Sequence, residues 1–467
     1  MIPLRLAEVA AAVDGVVEPA DAAGTVVEAV ITDTRVRAGA PALFVALPTA
    51  AADGHDHLAT AERAGAVAVL VAADRAGPSP GEGPPRVVVA DTWAALGALA
   101  SHLRAAVAPR VVAVTGSYGK TTTKDLAAAA VRTARRTVAS RASHNNELGV
   151  PLTLLALETG TEVLIAEIGV RLPGDLDAAA ALVRPDVAVV TAVGPVHLET
   201  LGDLDGVARE KGRLVAALRP GGTAVLNADD PRVAAMRRDD VTTLTVRAAG
   251  GAADVVADGV RDAGDGRVAA VVRTPWGTVE VTPPLPGRHH LGNAMLALTV
   301  AGLVGADLEV AAAAIATAPT SASRSALRRS GGVVVLDDAY NASPPTVLAA
   351  LTTLAGLTVT GRRWAVLGTM AELGPDAAAL HREVGAACAD LDRLVAVGAG
   401  GADLAAGAVA AGLPPGRVVT VPDAEAALAV VAAEVAAGDA VLVKASRVVG
   451  LDRVAAGLVG TTEGAAA

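Results

Sequence analysis

A chain of 467 residues has room for about three domains of ~150 residues each. Its net charge of -10, with no long basic run and no aromatic residues interleaved with basic ones, argues against a nucleic-acid partner. The single cysteine, Cys388, excludes an internal disulfide framework and a cysteine-based zinc site; aromatics at 1% leave the cores to be built from small aliphatics.

The N-terminal stretch carries Glu8, Asp14 and Glu18 where a secretory signal needs an unbroken apolar core, so a cytoplasmic location is expected. The longest uncharged apolar stretches, such as 291–306, are too short or too broken by glycine to span a bilayer. Residues 1–107 mix short strands (42–47, 67–72, 87–90) with helices, notably 92–106, and predict a small α/β domain. The run GPSPGEGPP at 77–85 is a loop inside it. Two polar clusters interrupt the aliphatic background: Thr32 to Arg35, and Asp53 to His57. Each has the composition of a solvated turn. His55, Asp56 and His57 also suggest a metal, which nothing else in the sequence supports.

The segment 108–320 opens on VVAVTGSYGKTTTK, residues 111–124. An apolar strand stops at a short loop and restarts as a helix. Gly116 and Gly119 let backbone amides approach phosphate oxygens, while Lys120 and Thr121 supply a cation and a hydroxyl at the helix start. A strict P-loop places four residues between its glycines; here only Ser117 and Tyr118 intervene. A polar loop containing Asn145 and Asn146 precedes a helix over 152–157. A strand at 162–168 carries Glu167 near its end, and His197 lies beyond a strand at 187–191. Ligands of open α/β sheets gather beyond the carboxyl ends of strands, so the phosphate loop, Glu167 and His197 are expected at one edge. There a carboxylate and an imidazole suit a Mg2+ accompanying a triphosphate. Lys211, on a later helix, reads by itself as a surface lysine pairing with Glu210 or Asp205. Residues 268–281 predict a hairpin turning at Trp276 and Gly277, and a helix over 294–303 follows, with Asn293 near its start.

From 321 to 467, strands at 333–336, 364–367, 394–397, 418–421 and 440–443 alternate with helices, the pattern of a doubly wound, Rossmann-like domain. Its strand ends carry Asp337-Asp338-Ala339-Tyr340-Asn341, Gly368-Thr369-Met370-Ala371-Glu372-Leu373-Gly374 and Lys444-Ala445-Ser446-Arg447. These predict a ligand face.

Taken together, TGSYGKTTTK, NNELGVP, the EIG at Glu167, HLE at His197, KGRL at Lys211, LPGRHHLGNA, DDAYNASP, MAELG and LVKASR resemble the Mur ligases, in order and over essentially the whole chain. Within them the resemblance is strongest to the branch that adds D-alanyl-D-alanine to UDP-N-acetylmuramoyl-tripeptide. The shortened loop is the form this family uses. The resemblance implies three α/β domains: an N-terminal UDP-substrate domain (1–107), a central P-loop ATPase-like domain with a mostly parallel sheet (108–320) and a C-terminal Rossmann-like domain (321–467).

It also implies a reaction. ATP phosphorylates the terminal carboxylate of the UDP-linked peptide, and an amine displaces phosphate from the acyl phosphate. Domain closure would keep water from that intermediate. By carry-over, Thr115, Gly116, Ser117, Tyr118, Gly119, Lys120, Thr121 and Thr122 bind the phosphates; Thr121 also meets Mg2+, which Glu167, His197 and Lys211 help to hold. Lys211 matches the lysine that the family carbamylates with CO2. Asn293 and Asp338 would contact the nucleoside and Arg324 the phosphates. Thr34 and Arg35 would meet the UDP end, Asn145 and Asn146 the substrate side, and Asn341, Lys444, Ser446 and Arg447 the peptide or the incoming dipeptide. A cytoplasmic monomer, with no membrane insertion, is expected.

Three positions depart from the family pattern: Thr34 stands for serine, His290 for asparagine and Thr369 for aspartate. Two rival readings stay open. One is a sibling ligase, adding the third amino acid or extending folylpolyglutamate; the Asn-Pro-Arg motif of the third-residue enzyme is missing. The other is a P-loop module that binds nucleotide without ligating anything.

Overall fold

The computed structural model describes residues 1–77 and 83–463, so most of the loop predicted at 77–85 lies outside the described residues. The chain forms two compact units. The first comprises Met1–Ala113, Arg135–Ile168 and Asp177–Asp186; the second comprises Val114–Ala134, Gly169–Leu176 and Val187–Ala467.

In the first unit a five-stranded sheet runs in the order Val16–Glu18, Arg86–Val89, Ala66–Ala72, Ala42–Val45, Ala29–Ile31. The first pair is antiparallel and the others parallel. Alternating valine, leucine and alanine bury both sides of the central strands, and Phe44 is the bulk of one cluster with Val69 and Val71. Helix Thr92–Val107 begins where Asp91 accepts hydrogen bonds from the amides of Trp93 and Ala94. It buries Leu96, Leu99 and Leu103. Strands Thr137–Ala139 and Val163–Glu167 pair in parallel in the same unit.

The polar cluster at Asp53 is a structural staple. The Asp53 carboxylate accepts from the His55 amide at 2.9 Å and lies 2.6 Å from His55 Nδ1, while His55 Nε2 accepts from the Ala72 amide at 3.0 Å. Both ring nitrogens are therefore committed to the protein, which removes the basis for a metal there.

In the second unit, strands Val187–Val190, Thr223–Asn227, Thr242–Arg247 and Val255–Gly264 form a parallel run. Arg267–Thr274 and Gly277–Val281 then extend it in antiparallel fashion. The predicted hairpin is present, but the ten-residue strand Val255–Gly264 beside it was not foreseen, because Asp258, Gly259 and Asp262 break its apolar alternation.

Residues 321–463 supply the second sheet of this unit, ordered Ala326–Ser330, Val333–Asp337, Ala440–Lys444, Arg363–Gly368, Arg393–Val397, Val418–Val421. Only the first strand is antiparallel. Helices cover both faces: one core joins Leu351, Leu354, Val384 and Leu404 to alternate strand residues, the other joins Val431, Val454 and Leu458 to the residues between. That is the doubly wound arrangement, with the late strand Ala440–Lys444 inserted between the first two parallel strands. The strand ends of Asp337, Gly368 and Lys444 consequently lie side by side at the switch in strand order.

Candidate active site

The phosphate loop sits in the second unit between strand Arg110–Thr115 and helix Lys120–Arg132. Gly116 has φ +148 and Gly119 φ +80, and a Cβ on Gly116 would stand 1.9 Å from Thr191 Oγ1. Glycine is required by both conformation and space. The neighbouring strand end holds the loop: the Thr191 hydroxyl donates to the Tyr118 carbonyl at 2.5 Å, the Ser117 amide to the Ala192 carbonyl at 2.8 Å, and the Gly194 amide to Ser117 Oγ at 2.8 Å. Lys120 Nζ folds over the loop and donates to the Gly116 carbonyl at 2.6 Å. Thr121 and Thr122 are buried in the first turn of the helix. Burial, with a smaller push from Asp230, raises the Tyr118 phenol above its ordinary value.

Asn293 closes one side of this loop. It lies in the second turn of helix His289–Leu303, which starts earlier than the predicted 294. Its Oδ1 accepts from Thr123 Oγ1 at 3.4 Å, and a Cβ on Gly119 would come within 2.6 Å of it. His290, one of the departures, is buried with Nδ1 3.3 Å from Asn293 Nδ2, and its Nε2 has no partner among the described residues.

Lys211 is not the surface residue its sequence neighbourhood suggests. It is 1% exposed on helix Leu204–Ala216. Glu210 is engaged elsewhere, pairing with Arg213 at 2.9 Å and accepting the amides of Gly174 and Leu176; Asp205 pairs with Arg232. Burial first, then the charge of Lys120, drives the Lys211 amine well below its ordinary value, with Glu210 opposing. His197 stands at φ +54 with Nδ1 on the Glu372 carboxylate. Burial lowers its imidazole below the ordinary value, and Lys211 and Lys120 add to this against Glu372.

At the C-terminal strand ends, Lys444 Nζ pairs with Asp338 Oδ2 at 2.5 Å and donates to the Asn341 carbonyl at 2.9 Å. Arg324 stacks on the Tyr340 ring at 3.8 Å, and the exposed Arg447 approaches the same ring at 5.2 Å. Ser446 Oγ accepts the Ala371 amide at 2.9 Å. The hydroxyl of Thr369 accepts the Gly400 amide at 3.0 Å, a role that needs an acceptor but no charge.

In the first unit, Glu167 is buried at the end of its strand. Its backbone amide donates to Ser140 Oγ at 3.0 Å, and its Oε1 accepts from Asn145 Nδ2 at 2.6 Å. Asn146 Oδ1 accepts the Gly149 amide that starts helix Gly149–Leu155. Arg35 is exposed and forks onto Asp33, whose carboxyl this pairing holds at about 2; Thr34 lies between them.

The second unit thus gathers the phosphate loop, Asn293, His197 and Lys211, with Arg324, Asp338, Asn341, Lys444, Ser446 and Arg447 at the other sheet's strand ends. The first unit pairs Glu167 with Asn145 and leaves Thr34 and Arg35 on an exposed loop. Thr191 and Glu372 were not foreseen as parts of the site. Glu372 lies in MAELG, a motif whose sequence assigns it no role, and Thr191 reads in the sequence only as the end of a strand.

Among the described residues no three His, Cys, Asp or Glu side chains are arranged to hold a metal. In the second unit, Thr121 and His197 offer neutral donors beside two lysines. A divalent cation prefers oxygen ligands and negative charge. These residues fit one only if Lys211 carries an anionic group in place of its ammonium.

Residues 114–301 match the Mur ligase middle domain, and residues 323–447 match the Mur ligase glutamate ligase domain. The UDP-N-acetylmuramoyl-tripeptide--D-alanyl-D-alanine ligase of Mycobacterium tuberculosis is 39% identical over 98% of each chain. The chain belongs to the Mur ligase family. Among solved Mur ligases, MurF from Acinetobacter baumannii superposes with a TM-score of 0.85 at 26% identity, over 98% of this chain and 99% of that one. MurF ligase from Thermotoga maritima, solved in complex with ADP, gives 0.78 at 26% identity over 93% and 98%. The three-domain α/β architecture of the family is that of this chain, and as a Mur ligase it is an ATP-dependent enzyme.

Proposed function

We propose that this Mur ligase joins D-alanyl-D-alanine to UDP-N-acetylmuramoyl-tripeptide in the cytoplasm. The observation that carries the reading is the end-to-end likeness to relatives bearing that activity, together with a phosphate loop whose two glycines are enforced by geometry. Residues 1–107, 108–320 and 321–467 then serve as the UDP-substrate, ATP and dipeptide domains.

The chemistry is the one the family resemblance implies. A carboxylate oxygen of the tripeptide attacks the γ-phosphorus of ATP and ADP leaves, giving an acyl phosphate. The dipeptide amine attacks the acyl carbon, loses a proton and expels inorganic phosphate. Loop amides and Lys120 hold the β and γ phosphates and spread the charge that develops on the transferring group. Asn293 and Asp338 contact the nucleoside, with Arg324 toward the phosphates. Thr34 and Arg35 meet the UDP end, Asn145 and Asn146 the substrate side, and Asn341, Lys444, Ser446 and Arg447 the peptide or incoming dipeptide.

Within the second unit, Thr121, His197 and a carbamylated Lys211 would hold Mg2+, which would supply charge neutralisation of the phosphates. Carbamylation needs a neutral amine to attack CO2. Burial and then Lys120 drive the Lys211 amine well below its ordinary value, which favours the neutral form that carbamylation needs, and the product carries the anion the cation requires.

Coupled phosphate release tests the reading. With UDP-N-acetylmuramoyl-tripeptide present, D-alanyl-D-alanine should stimulate release far more than D-alanine or other amines. Preference for a single amino acid would indicate a sibling ligase, and hydrolysis indifferent to every amine would indicate a nucleotide-binding module.

A further inference from the structure

Glu372 lies on the loop after strand Arg363–Gly368, and it grips residues 197 and 198 at two points. Its side chain meets His197 Nδ1, and its carbonyl accepts the Leu198 amide at 3.0 Å. Sequence separation between the two residues is 175, so the contact exists only when the C-terminal sheet is docked on the ATP-binding part of the second unit. Both residues hold left-handed backbone, Glu372 at φ +62 and His197 at φ +54. Such conformations persist when surrounding contacts fix them.

Those contacts are present. On the Glu372 side, the Ala371 amide donates to Ser446 Oγ, the Met370 amide to His381 Nε2 at 2.9 Å, and the Ser446 amide to the Thr369 carbonyl at 3.1 Å. Arg171 lies 3.5 Å from Glu372 Oε1, leaving the other oxygen for the imidazole. A carboxylate only accepts, so Nδ1 of His197 carries the proton and Nε2 keeps its lone pair. Gly194, three residues before His197, donates its amide to Ser117 Oγ at 2.8 Å, so this segment runs beside the phosphate loop.

We infer that Glu372 is a positioning residue. By accepting the Nδ1 proton of His197 it fixes the ring and its tautomer with Nε2 available at the ATP site, and it does so only when the C-terminal sheet is docked. The inference rests on the proposed ligase reading for its kinetic consequence, and on geometry alone for the tautomer.

The experiment uses full-length protein with 15N-labelled histidine rings. Among the eight histidines, His197→Gln identifies the signal that belongs to residue 197. Wild type and Glu372→Gln, whose amide oxygen still accepts, should show Nδ1-protonated His197; Glu372→Ala should shift it toward the Nε2-protonated form. In the ligation assay Glu372→Ala should lower kcat by about 10- to 100-fold, as loss of an outer partner of a liganding imidazole typically does. KM for ATP should hold within about twofold, and Glu372→Gln should recover most of the loss. A ring signature in Glu372→Ala identical to wild type would overturn the inference, as would an inverted tautomer with unchanged kcat. If wild type fails to ligate D-alanyl-D-alanine, the substrate reading falls, while the ring signatures still decide the role of Glu372.

Discussion

Lys211 shows how one buried cation divides stability from function. Its side chain is shut away from water on a helix whose neighbouring carboxylate, Glu210, is spent on Arg213 and on two backbone amides. Removing the charge should relieve the fold. Lys211→Met fills similar volume without a charge, and the apo protein should melt higher, by about 2–4 °C for each kcal/mol gained. The same variant should be dead as a ligase. Lys211→Ala should likewise abolish ligation while leaving ADP affinity within about threefold, since the residue serves the metal and not the phosphates directly. Calorimetric scans and ADP titrations check both, and near-normal turnover by either variant would remove Lys211 from the mechanism. The pH dependence has a definite sign. The amine is depressed in the folded state, so the unfolded chain binds the proton more tightly. Between the folded value and 10.5 the unfolded state holds more protons, and stability rises with pH. Lys211→Met should flatten that part of the curve.

At the scale of elements, the phosphate loop is where local sequence and tertiary structure agree most closely. Its strand, its glycines and its helix start are all legible in order, because each is dictated within a few residues. What the sequence does not show is the wall behind it. Thr191 lies 75 residues beyond Gly116, yet its hydroxyl is what a side chain on Gly116 would strike. Gly116→Ala therefore meets two obstacles, a left-handed backbone at φ +148 and a Cβ only 1.9 Å from Thr191 Oγ1. The loop must move, which costs about 1–3 kcal/mol in stability. ADP affinity should fall by about tenfold or more as the amides lose their aim. Restored binding in a Gly116→Ala, Thr191→Ser double variant is not expected, since serine keeps the offending hydroxyl; Thr191→Ala is the variant that should recover part of it. The limits of local reading recur elsewhere. The regular strands of 333–443 were legible from apolar runs between helices, whereas Val255–Gly264 was hidden by its aspartates and glycine. The helix bearing Asn293 starts at His289, earlier than 294, a start that the sequence hides because His289 and His290 have no distinctive helical signature. Lys211 as a buried residue was out of reach for the same reason. Burial is decided by what other segments bring, and KGRL in isolation reads as solvated.

Across the whole molecule, the segment that leads from the ATP-binding part of the second unit into the C-terminal sheet is pinned at both ends. Asp125, on the helix that follows the phosphate loop, accepts from the Ser321 amide at 3.1 Å and hydroxyl at 2.7 Å while pairing with the buried Lys124 at 2.5 Å. Four residues on, the Ser325 amide donates to Asp338 Oδ1 at 2.9 Å, and Ser323 reaches Asp337 Oδ2 at 3.1 Å. Ser323 and Ser325 hold φ +54 and +52, conformations that serine leaves readily when its contacts are cut. The linker is thus fastened to the phosphate helix on one side and to the candidate nucleoside contact, Asp338, on the other. Loosening the first fastening should expose it. Ser321→Ala removes one neutral hydrogen bond of about 1 kcal/mol, enough for about a fivefold increase in an opening equilibrium. Asp125→Ala removes both bonds together with the Lys124 pair and should open the linker further. Limited proteolysis at residues 317–325 reads that opening when cleavage is slow relative to closing. The expected order of cleavage rates is wild type, Ser321→Ala, Asp125→Ala, with ADP protecting wild type most, since ligand binding at the phosphate helix holds the fastened state. Equal rates for all three, at matched thermal midpoints, would mean that Asp125 does not fasten the linker and that the C-terminal sheet is held by its other contacts alone.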